Sequence, residues 1–347
     1  MEDQGFEDIP FLSNVGMMLT YKCTIACSHC IVKAGPNRKE EMLLEDAFRW
    51  IDELRSYRSG YIRGISLTGG EPFYNVENLA AISSYAANRR FVVSVVSNAY
   101  WAETREEALR VLSRCSSIQM LSVSADVGHQ AFIPLANVRN AIWAAKKRGI
   151  LYDIAVATPS EEDVEYLRLR DELLDFVDED QIHVTVTLPV GRASETMDDG
   201  QLVLSSEPSK AACSMASYPI IFPNGNVIAC IGPPITLPAG HPLFLGNLKK
   251  ESLAALFDRS ETNIILHAIR TFGPRVLVNL LLESRYAHLL PRQYVEDATC
   301  DVCFRLFSSR HIVEALTSLI ADPEFINNVA YGRNYFLGEK EMLGLIQ

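Results

Sequence analysis

The sequence predicts an α/β protein with a parallel sheet or partial barrel, followed by a smaller region of different character. Three observations carry that prediction. About six strand-like and helix-like segments alternate before residue 190. The strand-like runs are continuous and rich in Val, as expected for strands buried on both faces. After Gly191-Arg192-Ala193 the alternation stops.

Each element has its own local reason. Residues 15–21 are a short apolar run ending at a cysteine-rich loop and read as the first strand. Ala47, Phe48, Ile51 and Leu54 recur at helical spacing, giving an amphipathic helix before Gly60. Residues 64–68 form the next strand, followed by Gly69-Gly70-Glu71-Pro72 and a helix presenting Leu79, Ile82 and Ala86. Residues 91–96 read as a buried strand ending at Ser97-Asn98. Thr104-Arg105-Glu106-Glu107 reads as a capping box, with hydroxyl and carboxylate each satisfying a free amide.

Residues 118–124 give the next strand, and Val138, Ala141, Ile142 and Ala145 mark a helix. That helix ends in Lys146-Lys147-Arg148-Gly149, cations at the negative dipole end followed by a glycine stop. Residues 151–157 read as a strand, Ser160 as the cap of an acidic helix running towards Phe176, and 182–188 as a further strand. Residues 194–212 read as a polar linker. Apolar runs at 219–222 and 227–230 flank Pro223-Asn224-Gly225-Asn226, and Asn-Gly in that setting signals a hairpin. Helical segments follow near 248–257, 263–270 and 276–283. Cys300 and Cys303 read as lying in a loop before a helix at 312–320.

Composition narrows the class. A chain of 347 residues that is 48% hydrophobic can bury a sizeable core and is not disordered. With 32 basic and 43 acidic side chains, its net charge of −11 argues against a nucleic-acid partner. No run approaches ~18 apolar residues, so no membrane helix is expected. The acidic start Met1-Glu2-Asp3-Gln4-Gly5 is unlike a signal peptide, so a cytoplasmic location with reduced thiols is expected.

Eight cysteines in a reducing compartment need a reason other than disulfides. Cys23, Cys27 and Cys30 crowd into one loop; Cys213, Cys230, Cys300 and Cys303 form a looser set; Cys115 stands alone on a helical pattern as a buried thiol. The grouping suggests three plus four metal-ligating thiolates. Three thiolates in a C-x3-C-x2-C loop can bind three irons of a cubane cluster and leave the fourth iron open to a small molecule. Zinc held by the three cysteines and His29 is the competing reading. For the second set a structural zinc tetrahedron competes in the same way. Beside them, Gly69 and Gly70 let a ligand approach the backbone, and the Glu71 carboxylate suits an ammonium. His129, His183, His241, His267, His288 and His311 are scattered and read as surface or core residues.

The cysteine spacing resembles the defining motif of the radical S-adenosylmethionine (SAM) superfamily, with His29 where an aromatic usually precedes the third cysteine. Gly69-Gly70-Glu71-Pro72 resembles the family's GGEP segment, which the resemblance implies holds the methionine amino group of SAM. Ser97-Asn98 and Ser124-Ala125-Asp126 end successive strands. By resemblance Ser97, Asn98, Ser124 and Asp126 are candidates for contacts to the ribose and carboxylate of SAM. Cys213-x11-Gly225-x4-Cys230 with Cys300-x2-Cys303 resembles the auxiliary-cluster region of the SPASM/Twitch branch. Four cysteines rather than seven imply the shorter Twitch type, with one fully ligated auxiliary [4Fe–4S] cluster. Leu188-Pro189-Val190-Gly191-Arg192-Ala193 and Leu245-Gly246-Asn247-Leu248 resemble segments of the same branch.

The resemblance therefore implies a partial (β/α)6 TIM-like barrel over residues 1–193, a linker at 194–212, a Twitch-type domain at 213–305 and a helical segment at 306–347. It implies a SAM-binding [4Fe–4S] cluster on Cys23, Cys27 and Cys30, and SAM itself. Reductive cleavage of SAM to a 5′-deoxyadenosyl radical and hydrogen abstraction from substrate follow, with flavodoxin or ferredoxin as reductant. Oxidative cross-linking of a ribosomally made peptide is the expected outcome. Oxidation of a small molecule such as an amino-sugar is the alternative, and a non-catalytic iron–sulfur or zinc protein is a third. About fourteen residues precede the first strand, so no leader-binding module of about a hundred residues is expected there, which lowers the peptide reading; a separate leader-binding protein could supply it.

Overall fold

A computed structural model describes residues 12–338. The acidic start at residues 1–5 and the last part of the C-terminal helical segment, 339–347, lie outside the described residues. The chain alternates β1 (Asn14–Met18), α1 (Leu44–Ser56), β2 (Gly64–Thr68), α2 (Val76–Asn88), β3 (Val92–Ser97), α3 (Arg105–Arg114) and β4 (Met120–Ser124). A short α4 (Val127–Gln130) precedes α5 (Leu135–Arg148), β5 (Leu151–Thr158), α6 (Val164–Leu174) and β6 (Ile182–Val186). Strands β1 to β6 pair in chain order, all parallel. This is the partial barrel expected of six consecutive strand–helix units, and it brings the carboxyl ends of the strands to one mouth.

The core is built from the strands' buried Val, Leu and Ile and the inner faces of the helices, with Trp50 and Ile51 of α1 fully enclosed. Helix ends follow local chemistry. Gly149 closes α5 at φ +69°, and its N–H reaches the Ala145 carbonyl. Thr104 caps α3 by accepting from the Glu107 N–H at 3.1 Å. The reciprocal half of the expected capping box is replaced, because Arg110 one turn on engages the Glu107 carboxylate at 2.9 Å. Ser160 does not cap α6. Asp163 does, accepting from Tyr166 N at 2.9 Å, while the Ser160 hydroxyl closes a turn on Glu162 N. A carboxylate beside the helix dipole outcompetes the earlier hydroxyl.

The second half holds a short α7 (Ala193–Thr196), β7 (Leu204–Ser205), β8 (Ile220–Ile221), β9 (Asn226–Ile228) and β10 (Phe244–Asn247). Residues 194–212 are thus not plain linker: α7 opens the segment and β7 pairs with β11 (Tyr294–Val295). The Asn-Gly hairpin forms as expected, with Gly225 at φ +86°. Its first strand also pairs in parallel with β1, so the sheet runs unbroken in the order β10-β9-β8-β1-β2-β3-β4-β5-β6.

Helices α8 (Leu253–Glu261), α9 (Ile264–Phe272) and α10 (Arg275–Leu282) precede β11, and α11 (Thr299–Ser308), α12 (Arg310–Leu319) and α13 (Pro323–Leu337) follow it. Helix α8 begins later than the sequence pattern suggests, because Ser252 supplies the cap through its hydroxyl on Ala255 N. No single helix among the described residues is long and apolar enough to cross a membrane. The apolar pair α9 and α10, bent by 110°, packs Leu266, Ile269, Leu277 and Leu281 into the core.

Candidate active site

Cys23, Cys27 and Cys30 occupy the loop that follows β1 at the barrel mouth. Its neck is closed by Cys23 N on Gly35 O at 3.2 Å and Gly35 N on Tyr21 O at 3.2 Å. Inside, Cys30 N reaches Cys27 O, and the Cys30 sulfur accepts from Ala34 N at 3.3 Å. Cys23 and Cys27 are each 6% exposed, and their burial raises both thiols, Cys23 to about 11. Thiolates there form when a metal takes the place of the proton.

A long-range clamp holds this loop from outside. Arg192 donates from its guanidinium to Cys27 O and to Ala34 O, the latter at 2.5 Å, and from its backbone N–H to Cys30 O at 3.0 Å. Gly191 sits at φ +60° so close that a Cβ would stand 2.3 Å from Ile31 O. Only glycine admits that approach. The sequence placed Arg192 in a junction segment without a role; no local pattern reveals which backbone a distant arginine will meet.

Gly69 and Gly70 line the cavity beside the cysteines, together with Ser97, Asn98, Ser124, His29 and His129, around a volume of about 130 Å³. The glycines are also packed against the approach to the cysteine loop. Gly70 N donates to Thr20 O at 2.6 Å and Glu71 N to Lys22 O at 2.9 Å. A Cβ on Gly70 would lie 2.3 Å from Lys22 O.

Glu71 and Pro72 lie behind that lining. The Glu71 carboxylate is fully buried and accepts from Asn98 N at 2.8 Å, Ser97 Oγ at 2.9 Å and Phe73 N at 3.0 Å. Burial pushes its carboxyl up to about 7 in spite of those donors. The side chain therefore ties the turn after β2 to the end of β3. That turn aims Asn98, whose amide nitrogen lies 3.6 Å from the Cys23 sulfur.

Asp126 is likewise behind the wall, 2% exposed, capping α4 by accepting from His129 N at 2.9 Å. Its second oxygen lies 2.8 Å from His129 Nδ1 and 3.3 Å from His29 Nε2. Burial works to raise its carboxyl, but bonds from His129 and His29 hold it well below the usual carboxylate range. His129, read from sequence as a bystander, thus belongs to the site. The available signal was its position three residues after a capping aspartate at a strand end.

The other four cysteines gather around a second cavity of about 270 Å³. Cys213 precedes β8 and Cys230 follows β9. Cys300 and Cys303 lie on α11 rather than in a loop, one helical turn apart on the same face. The sequence spacing fits a knuckle or a helical turn equally, but Val302, Leu306 and Phe307, all buried, make the helix amphipathic. Burial raises Cys230 and Cys300 to about 12 and lifts Cys303 well above the ordinary thiol value. None of the eight cysteines is in a disulfide. Cys115 is 1% exposed in the core, as its helical setting suggests.

His29 lines both cavities, which places it between the two groups of cysteines. The wall of the larger cavity is apolar, with Ile31, Val186, Leu188 and Val190 on the barrel side and Met215, Pro233 and Ile269 opposite. Its polar side chains are His29 and the hydroxyls of Thr185, Thr187 and Thr299, and among the described residues no Asp, Glu, Lys or Arg lines it.

Among the described residues, Cys27, His29 and His129 are the group whose ligand atoms all fall within 4.8 Å of one another.

Residues 17–173 match the family described as the radical SAM superfamily. YydG of Bacillus subtilis (strain 168), a protein named for a role in peptide biosynthesis, is 21% identical over 299 residues, covering 85% of this chain and 92% of YydG. The crystal structure of BtrN in complex with AdoMet and 2-DOIA aligns over 74% of this chain and 87% of BtrN, at 14% identity and a TM-score of 0.38.

Proposed function

From the membership of residues 17–173 in the radical SAM superfamily, we propose that this enzyme oxidatively modifies a ribosomally made peptide, forming a cross-link within it. A [4Fe–4S] cluster and SAM are the cofactors of the domain. When bound, they supply a 5′-deoxyadenosyl radical that takes a hydrogen atom from the substrate. In this reading Cys23, Cys27 and Cys30 hold that cluster, and Gly69, Gly70, Ser97, Asn98 and Ser124 offer the wall against which SAM lies. Glu71 and Asp126 act one layer back: Glu71 fixes Ser97 and Asn98, and Asp126 fixes His29 and His129. Cys213, Cys230, Cys300 and Cys303 hold an auxiliary cluster, within a division of the chain at residues 193 and 213.

The observation that carries this reading is the apolar cavity between His29 and the four C-terminal cysteines. A substrate residue there would lie between the site of hydrogen abstraction and an acceptor for the second electron. The walls would exclude water from the radical. The kinship with a protein named for peptide biosynthesis supports a peptide over a small molecule. An amino-sugar is less well matched, since among the described residues the cavity wall offers its ammonium no carboxylate. A zinc protein is disfavoured by the match of residues 17–173 to the radical SAM superfamily.

The test is anaerobic reconstitution with iron and sulfide, then turnover with SAM, dithionite and synthetic peptides encoded beside the gene. About eight irons per chain, release of 5′-deoxyadenosine and a peptide lighter by two hydrogens are expected. Stoichiometric zinc with no SAM cleavage would overturn the enzyme reading. SAM cleavage with no change in any peptide would remove the peptide as substrate.

A further inference from the structure

We propose that the free edge of β6 is the docking rail for the substrate peptide. The peptide adds to the sheet as an extended strand, which delivers one of its residues into the apolar cavity between His29 and the C-terminal cysteines. The proposal rests on the peptide reading above and specifies how such a peptide is held.

Strand β6 ends the nine-stranded sheet and, among the described residues, pairs with β5 alone. The Thr187 N–H donates to Thr158 O at 2.8 Å. Backbone direction alternates along a strand, so the amides of Thr185 and His183 also face β5. The N–H and C=O groups of Val184 and Val186 therefore point away from the sheet. Among the described residues no hydrogen bond reaches those groups. No residue of β6 is buried.

Exposed edges are usually blunted by Pro, by Lys or by a bulge. The sequence Ile182-His183-Val184-Thr185-Val186 has none of these and is rich in β-branched residues. What surrounds the edge says what it is for. Ile182, His183 and Val184 line an open groove of about 480 Å³, whose other side carries Tyr166, Arg170 and Glu179. The next residues, Thr185 to Leu188, line the apolar cavity with the cysteines. A single strand thus leads from solvent to the reaction region.

An extended peptide on this edge would meet its backbone needs with the amides of Val184 and Val186, whatever its sequence. Its side chains alternate in direction, so one enters the cavity while its neighbours stay outside. Backbone bonds then provide the hold, and the apolar wall selects the residue that reacts.

The experiment uses the reconstituted enzyme with SAM, held anaerobically, and a displayed library of random dodecapeptides. Enriched peptides are resynthesised with a single N-methyl group at each position in turn and measured on the wild type and on Val184→Pro. Proline there removes an outward N–H and no bond to β5, and iron content with the thermal transition checks that the variant is folded. Expected are enriched peptides that lose about tenfold or more in affinity when methylated at every second position, and a similar loss on Val184→Pro. Because the methylation series uses wild-type enzyme, it decides the matter even if the variant does not fold. Enriched peptides indifferent to methylation would overturn the rail while leaving the peptide reading standing. No enriched peptide would overturn both. A wild-type dimer that Val184→Pro splits into monomers, with peptide affinity unchanged, would assign the edge to a second copy of the chain and overturn the proposal.

Discussion

Arg192 grips the backbone of Cys27 across 165 residues of sequence, its guanidinium donating to the Cys27 carbonyl. The same side chain holds Ala34 O, and its backbone holds Cys30 O, so one residue braces the N-terminal cysteine loop at three points. The loop has little regular structure of its own to keep three sulfurs in place.

Arg192→Met should therefore loosen the loop without touching a sulfur. Hydrogen bonds from a charged donor are worth roughly 1.5–3 kcal/mol each, and here two carbonyls lose theirs. Iron retained after reconstitution and gel filtration should fall towards about four per chain, with the four C-terminal cysteines still loaded. Arg192→Lys should rescue only in part, because a single ammonium does not reproduce the guanidinium fork. Full iron content in the Met variant would show that the clamp is dispensable.

Gly70→Ala should act on the same loop from the opposite side. The added methyl would stand 2.3 Å from Lys22 O, a backbone atom that cannot swing away. Overpacking of this kind costs about 1–3 kcal/mol. Chemical denaturation should show that loss, and SAM binding by equilibrium dialysis should weaken by more than the equivalent change at Gly149, whose surroundings are open.

Glu71 makes stability depend on pH. Its carboxyl rises from 4.5 to about 7 on folding because burial penalises the charge. Below about pH 4.5 native and unfolded chains are both protonated at this group, so it has no effect. Between there and about pH 7 the unfolded chain has released the proton and the native one retains it. Stability thus falls as pH rises through that window, by up to roughly 3 kcal/mol. Glu71→Gln cannot ionise and should lack this decline. Urea unfolding of both proteins at pH 5 and pH 8 tests it, since titrations common to the two cancel in the difference. A difference that does not change with pH would contradict the raised carboxyl.

Removal of single cysteines should separate the two sets. Cys27→Ala should abolish 5′-deoxyadenosine release. Cys300→Ala should keep part of it and lose the modified product. An unchanged product yield in Cys300→Ala would remove the auxiliary set from the reaction.

Much of the site was legible in the chain because its signals are local. C-x3-C-x2-C and Gly69-Gly70-Glu71-Pro72 each follow a strand, and strands in parallel succession bring such turns to one mouth. Residue identity announced that Glu71 mattered, yet a carboxylate in a turn reads the same whether it faces a ligand or a neighbouring strand. Its burial against Ser97 and Asn98 is a tertiary fact. His129 was missed for a related reason: one histidine after a cap is unremarkable until His29 arrives on the other side of Asp126.

Periodicity, caps and turn chemistry are properties of neighbouring residues, so the six strand–helix units, the Asn-Gly hairpin and the division of the cysteines into three, four and one can be read along the chain. Contacts between distant segments depend on how those units pack, and no local pattern encodes them. Packing alone settles that β8 joins β1, that Cys300 and Cys303 ride one face of a helix, that Arg192 braces the cysteine loop, and that an apolar cavity lies between His29 and the C-terminal cysteines.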